Sequence, residues 1–222
     1  MTDLEIYEFA SNVSTSIARD LSEGIYATLG GSLTTIWSTF NGVRAWAESL
    51  GDHSTAPQHR IVITYELARK LYRDAEEYHQ FASKEFLEDR FQVAFIGHDP
   101  KPHLPGHIKI EHSINNMFIG SLTWVFFHEL GHLMQEHGYI RAKFGGGELT
   151  LRVEDCESDG EKKLEGKASA ISHVTEIAAD VEATQWCVLE LIRHFLPKNT
   201  NHDEQSLLEF RSNLYLLVCG IS

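Results

Sequence analysis

Apolar residues near the amino end recur at helical spacing: Leu4, Tyr7, Ile17 and Leu21 predict a helix over residues 3–23, broken at Gly30-Gly31. Residues 32–50 follow neither the helical nor the strand period. Trp37, Phe40 and Trp46 stand there as core anchors, with Asn41-Gly42 as a turn. The β-branched run Arg60–Thr64 predicts a strand, and Tyr65 to Arg90 a long helix charged along one side. Phe91–Ile96 reads as a second strand. Pro100, Pro102 and Pro105 then make 97–107 a loop. In His107–His112 the apolar Ile108 and Ile110 alternate with Lys109 and Glu111, as in a half-buried strand. Phe118–His137 is an apolar helix with hardly a charge before Glu129. Residues 145–167 are polar and open with three glycines, suiting an exposed hairpin or loop. Helices are expected again over 171–196, stopped near Pro197, and over 203–219.

Inside the apolar helix lies His128-Glu129-Leu130-Gly131-His132, an HExxH pattern. Residues four apart share a helix face, so both imidazoles can reach one tetrahedral metal ion. Glu129, beside the first ligand, is placed to take a proton from a water at the remaining position and pass it to a leaving amine. The flanks Trp124-Val125-Phe126-Phe127 and Leu130, Leu133, Met134 argue against a solvated helix face. Two histidines and an acid are costly among them unless paired or metal-bound. Gly131, mid-helix, costs about 1 kcal/mol relative to alanine. It is either a tolerated packing glycine or the point where another element, such as the helix carrying a third ligand, comes close.

Two histidines leave such an ion short of protein ligands. The candidates for the third are His137, His173, Glu176 and the histidines 98, 103, 107 and 112. His137 follows His132 by five residues and is rotated off the ligand face. His173 and Glu176 share one helix, with Asp180 a turn beyond. Glu176, Asp180 and Cys187 form one stripe; Ile177, Val181, Val188 and Ile192 form another, expected to face the core. A helix that presents Glu176 would leave Asp180 able to orient a ligand histidine through its other ring N–H. His173 remains an alternative ligand, or a donor to a transition-state oxyanion.

Thr123-Trp124-Val125-Phe126-Phe127-His128-Glu129-Leu130-Gly131-His132, followed by Glu176-Ile-Ala-Ala-Asp180-Val-Glu-Ala183-Thr184-Gln-Trp186, resembles the Lit-like peptidases, a family of phage-exclusion proteases. More loosely it resembles other gluzincins, which pair HExxH with a downstream ExxAD. The resemblance covers about residues 119–137 and 174–187. It implies zinc held by His128, His132 and Glu176, with Glu129 as general base and Asp180 supporting a ligand. It also implies a cellular protein as substrate, such as elongation factor Tu.

The chain of 222 residues suits one domain. We therefore expect a mainly helical α+β, zincin-like domain with a small sheet packed on the HExxH helix. Residues 1–58 would be a helical N-terminal extension, and 145–168 a mobile insertion. A net charge of −13, with no basic patch, argues against nucleic-acid or anionic-membrane partners. The start carries early acids rather than a signal pattern, and no run is long enough to span a bilayer. Cys156, Cys187 and Cys219 are odd in number and widely spaced, which suits a reducing, cytoplasmic setting. The apolar end LYLLVCGIS is either a core helix or the opening of a longer hydrophobic segment. Thirteen histidines invite metal chemistry. A second site of His98, His103, His107 and His112 competes with the plainer reading of a loop and strand. Strand 107–112 would be the sheet edge on which an extended substrate pairs. The expected reaction is zinc-dependent hydrolysis of a peptide bond. The rivals are a non-catalytic zinc-folded interaction module and a hydrolase of non-peptide amides; an intact Glu129 favours catalysis over the former.

Overall fold

The computed structural model describes residues 1–51, 54–83, 105–146, 152–153, 165–197 and 203–221. Helix α1 (Asp3–Leu21) starts at a capping box: the Thr2 side chain accepts from the Glu5 N–H, and Glu5 Oε2 accepts from the Thr2 N–H at 2.7 Å. Its buried stripe is Ile6, Ala10, Ser14 and Leu21. Leu4 is exposed and Tyr7 and Ile17 are only partly buried, so of the expected stripe only Leu21 is buried, and small residues share the buried face. A π-helical turn, Ser22–Tyr26, and a last helical turn, Ala27–Leu29, carry the chain to Gly30.

Residues 32–50 then form two strands, β1 (Ser32–Ser38) and β2 (Ala45–Ser49), so the helical extension expected over 1–58 is corrected. With β3 (Gln58–Thr64) and β4 (Arg152–Val153) they make a sheet of order β1-β3-β2-β4. Strand β1 is parallel to β3, while β2 is antiparallel to both β3 and β4. Ile61, Val62 and Ile63 are all buried. Strand β3 is thus covered on both faces, and its continuous apolar run follows from that. Trp46 is buried as expected, but Phe40 is exposed, with the Arg44 guanidinium over its ring.

Thr64 ends β3 and begins α2 (Tyr65–Ser83): its Oγ1 accepts from the backbone N–H of Leu67 and of Arg44. Then come α3 (Ile110–Met134), α4 (His137–Gly145), α5 (Gly166–Phe195) and α6 (Glu204–Ile221). Helix α3 starts eight residues before the expected Phe118 and replaces the strand predicted over 107–112. Ile110 is exposed at its first turn, and only Ile108 packs on a core. The alternation of four residues was too short a pattern to outweigh the helical run that follows it. The substrate-pairing edge assigned to it is withdrawn. The predicted strand 91–96, the loop as far as residue 104, His98, His103, Cys156 and most of 145–168 lie outside the described residues.

The protein is therefore mainly helical α+β with a small mixed sheet. Its contacts divide it into two compact units, Met1–Arg69 with Leu122–Leu189, and Lys70–Ser121 with Glu190–Ser222. The first holds the sheet and the HExxH motif. In the second, Ala75, Met117 and Leu216 form a core flanked by Tyr78, Ile108, Ile114 and Cys219. There α3 and α6 cross closely. A Cβ on Gly220 would lie 2.6 Å from the Met117 carbonyl oxygen, and Ser121 Oγ sits 2.7 Å from the Gly220 carbonyl. Among the described residues no helix is long and apolar enough to cross a membrane, and Cys187 and Cys219 are free thiols.

Candidate metal centre

Successive contacts place α3 and α5 side by side. Trp124 Nε1 donates to Thr184 Oγ1 at 3.1 Å, His128 Nδ1 meets Asp180 Oδ1 at 2.8 Å, and His132 Nε2 lies 3.3 Å from Glu176 Oε2. Each step of four residues forward on α3 is four backward on α5, so the helices run antiparallel and in register by turns. The buried stripe of α5 is Ser172, Thr175, Ala179, Ala183 and Cys187. Ile177 and Val181, expected in the core, are exposed, as is Ile192. The physical reason is closeness of approach. A Cβ on Gly131 would stand 3.3 Å from the Ala179 Cα, and only small residues permit two backbones to come so near. Gly131 is thus where the helix of the third ligand comes close.

That approach brings three donor atoms together. His128 Nε2 and His132 Nε2 are 3.1 Å apart, and each lies 3.3 Å from Glu176 Oε2. Among the described residues these three side chains form the group able to hold a metal ion. A tetrahedral site with bonds of about 2.0–2.1 Å has edges of about 3.3–3.4 Å, so the triangle has the size of one face of such a site. Glu129, buried at 5% exposure, follows the first of these histidines on α3.

Hydrogen bonds fix what the three atoms present. Asp180 is acceptor-only when ionised, so His128 donates its Nδ1–H there and keeps a lone pair at Nε2. His132 Nδ1 lies 2.9 Å from His137 Nδ1, and His137 Nε2 lies 3.1 Å from Gln135 Oε1, to which it donates. His137 Nδ1 is then an acceptor, His132 donates to it, and His132 Nε2 is also a lone pair. Two lone pairs and a carboxylate oxygen thus converge at about van der Waals contact, and a cation between them removes the repulsion. Burial pushes His132 below the ordinary histidine range, partly opposed by Glu176, and pushes His137 down to about 4. The spacing and chemistry of the three donors fit a metal ion.

The short helix α4 braces the ligands from one face. His137, its first residue, backs His132. Arg141, one turn on, donates to Thr175 Oγ1 at 2.8 Å and to Glu176 Oε1. The guanidinium occupies one carboxylate oxygen and leaves Oε2 for the ion. Between α3 and α4 stands Glu136, whose φ of 52° is the left-handed conformation that ordinary residues avoid. This reversal returns His137 against His132, with ring centroids 4.9 Å apart.

The structure thus brings together His128, His132 and Glu176, the three residues expected to hold an ion, with Asp180 behind His128. His173 is exposed and lies outside the metal-holding group. His107 and His112 do not join a metal group among the described residues; His107 instead lies 3.4 Å from Ser212 Oγ. Sequence reasoning set His137 aside as a ligand without seeing its bracing role, and it missed Arg141 and Gln135. Their sole signal was closeness to HExxH, since His137 and Arg141 act on His132 and Glu176, and Gln135 acts on His137. Comparison with protein-family models, with curated proteins and with solved structures returns no significant match.

Proposed function

We propose that this chain is a zinc-dependent peptidase, with zinc held by His128, His132 and Glu176 and with Glu129 as general base. The observation that carries the reading is the convergence of two imidazole lone pairs and one carboxylate oxygen, 3.1–3.3 Å apart, one residue from a buried glutamate. Two nitrogens and one oxygen suit zinc, and three protein ligands leave a position for water or substrate, as catalytic sites do and structural sites do not. When bound, zinc supplies a Lewis acid that polarises a carbonyl and lowers the pKa of a water to about 7. Glu129 accepts the proton of that water and returns it to the amine that leaves. Asp180 and Arg141 hold His128 and Glu176 in place through the bonds described above. The two motifs resemble those of the Lit-like peptidases, which extends the reading to a cytoplasmic protein substrate such as elongation factor Tu.

The test joins metal content to turnover. The purified chain is expected to carry close to one zinc per molecule by elemental analysis and to cleave a protein or peptide panel. Glu129→Gln is expected to retain zinc and lose roughly 100- to 10,000-fold in rate. Glu176→Ala is expected to lose most of the metal. Zinc retention with no difference in turnover between wild type and Glu129→Gln would leave a zinc-folded interaction module instead.

A further inference from the structure

His128 and His132 are braced by different means. Behind His128 stands a carboxylate, Asp180, in direct contact. Behind His132 stands another imidazole, a group that can donate or accept, and by itself it cannot decide which nitrogen of His132 carries the proton.

The decision comes from farther away. Gln135 Nε2 donates to Glu182 Oε2, and Trp186 Nε1 donates to Glu182 Oε1 at 3.3 Å. A carboxylate only accepts, so the amide of Gln135 must turn its N–H to Glu182 and its oxygen to His137. With the His137 ring neutral, each bond from there has one direction. His137 Nε2–H donates to Gln135 Oε1, His137 Nδ1 accepts, and His132 Nδ1–H donates to it. Reversing the chain would set the Gln135 oxygen against Glu182 Oε2, two acceptors in contact. Trp186 is in turn stacked on Phe127 at 5.7 Å and 21°, which steadies the carboxylate.

We propose that Glu182 is a positioning residue for the metal centre, fixing His132 in its Nδ1–H form through Gln135 and His137 so that the Nε2 lone pair faces the ion. This rests on the metal reading of the site. It also gives His132 a carboxylate three hydrogen bonds away in place of a neighbouring one.

Two half-buried positions allow a test that leaves the buried His137 itself unreplaced: Glu182→Leu and Gln135→Met. Long-range ¹⁵N–¹H spectra of the histidine rings, recorded on the metal-free full chain, report the protonated nitrogen directly. Zinc affinity is measured separately by competition with a chromophoric chelator. Wild type is expected to show His132 as a single Nδ1–H form. Both variants are expected to show a mixture of the two forms, and to bind zinc roughly 10- to 100-fold more weakly. Folded variants that keep a single Nδ1–H form and wild-type zinc affinity overturn the proposal while leaving the metal reading intact. A wild-type chain that binds no zinc overturns the metal reading, and the spectra of the metal-free chain still decide the role of Glu182.

Discussion

At the scale of single residues, several buried polar groups of this protein are held by a partner that fixes their state. His59 is an instance away from the metal centre. Its Nδ1 is hydrogen-bonded to Tyr26 Oη at 2.7 Å, and burial pushes its pKa down to about 4. Because the unfolded chain holds this proton below about 6.5 and the folded chain does not until about 4, folding is opposed as pH falls through that window. His59→Asn removes the linkage. Urea denaturation at pH 7 and pH 5 is expected to show wild type losing about 1–2 kcal/mol more than the variant on acidification. Gly131 sets a different balance. Alanine there gains about 1 kcal/mol of helix propensity, but its methyl group meets the Ala179 backbone at 3.3 Å, and overpacking costs about 1–3 kcal/mol. Gly131→Ala is expected to lower thermal stability slightly and to weaken zinc binding, because the two ligand helices must part. Unchanged zinc affinity in a competition assay would show that the approach is not needed for the site.

Among elements, the nine-residue helix α4 does more than its length suggests. Its first residue and the one a turn later touch His132 and Glu176, so one rigid face supports two ligands on two other helices. Arg141→Met removes the guanidinium and frees Glu176 Oε1. We expect zinc affinity to fall roughly tenfold in chelator competition, with the chain still folded by circular dichroism. The reversal into α4 has its own cost, since Glu136 holds a left-handed backbone at roughly 1–2 kcal/mol. Glu136→Gly should keep or raise the melting temperature, whereas Glu136→Val should lower it by several degrees. Neither α4 nor its turn could be read from the chain. Sequence carried the expected helix from Phe118 straight to His137, because nothing among Gln135, Glu136 and His137 is a helix breaker.

For the whole molecule, the metal is expected to act as part of the fold of the unit that contains it. An ion that binds the folded chain alone adds about 4 kcal/mol when present at a thousand times its dissociation constant. Differential scanning calorimetry with added zinc should therefore raise the melting temperature, a chelator should lower it, and Glu176→Ala should abolish both effects. The mainly helical α+β class, the helices of α3 and α5, strand β3 and the His128–Glu129–His132 triplet were legible because each is written in local periodicity or in a spacing of four residues. Strands β1 and β2 were not, since their pairing depends on neighbours far along the chain: Ile36 pairs with Val62, and Trp46 with the same residue from the other side. The face that α5 buries was misread because total apolarity favoured Ile177 and Val181, while the close helix crossing demanded Ala179 and Ala183. Sequence alone determined which atoms could hold an ion. Tertiary structure decided that they meet, and from which direction each lone pair comes, because the hydrogen bonds that link Glu182, Gln135 and His137, and those from Arg141 to Thr175 and Glu176, exist only once three helices are in place.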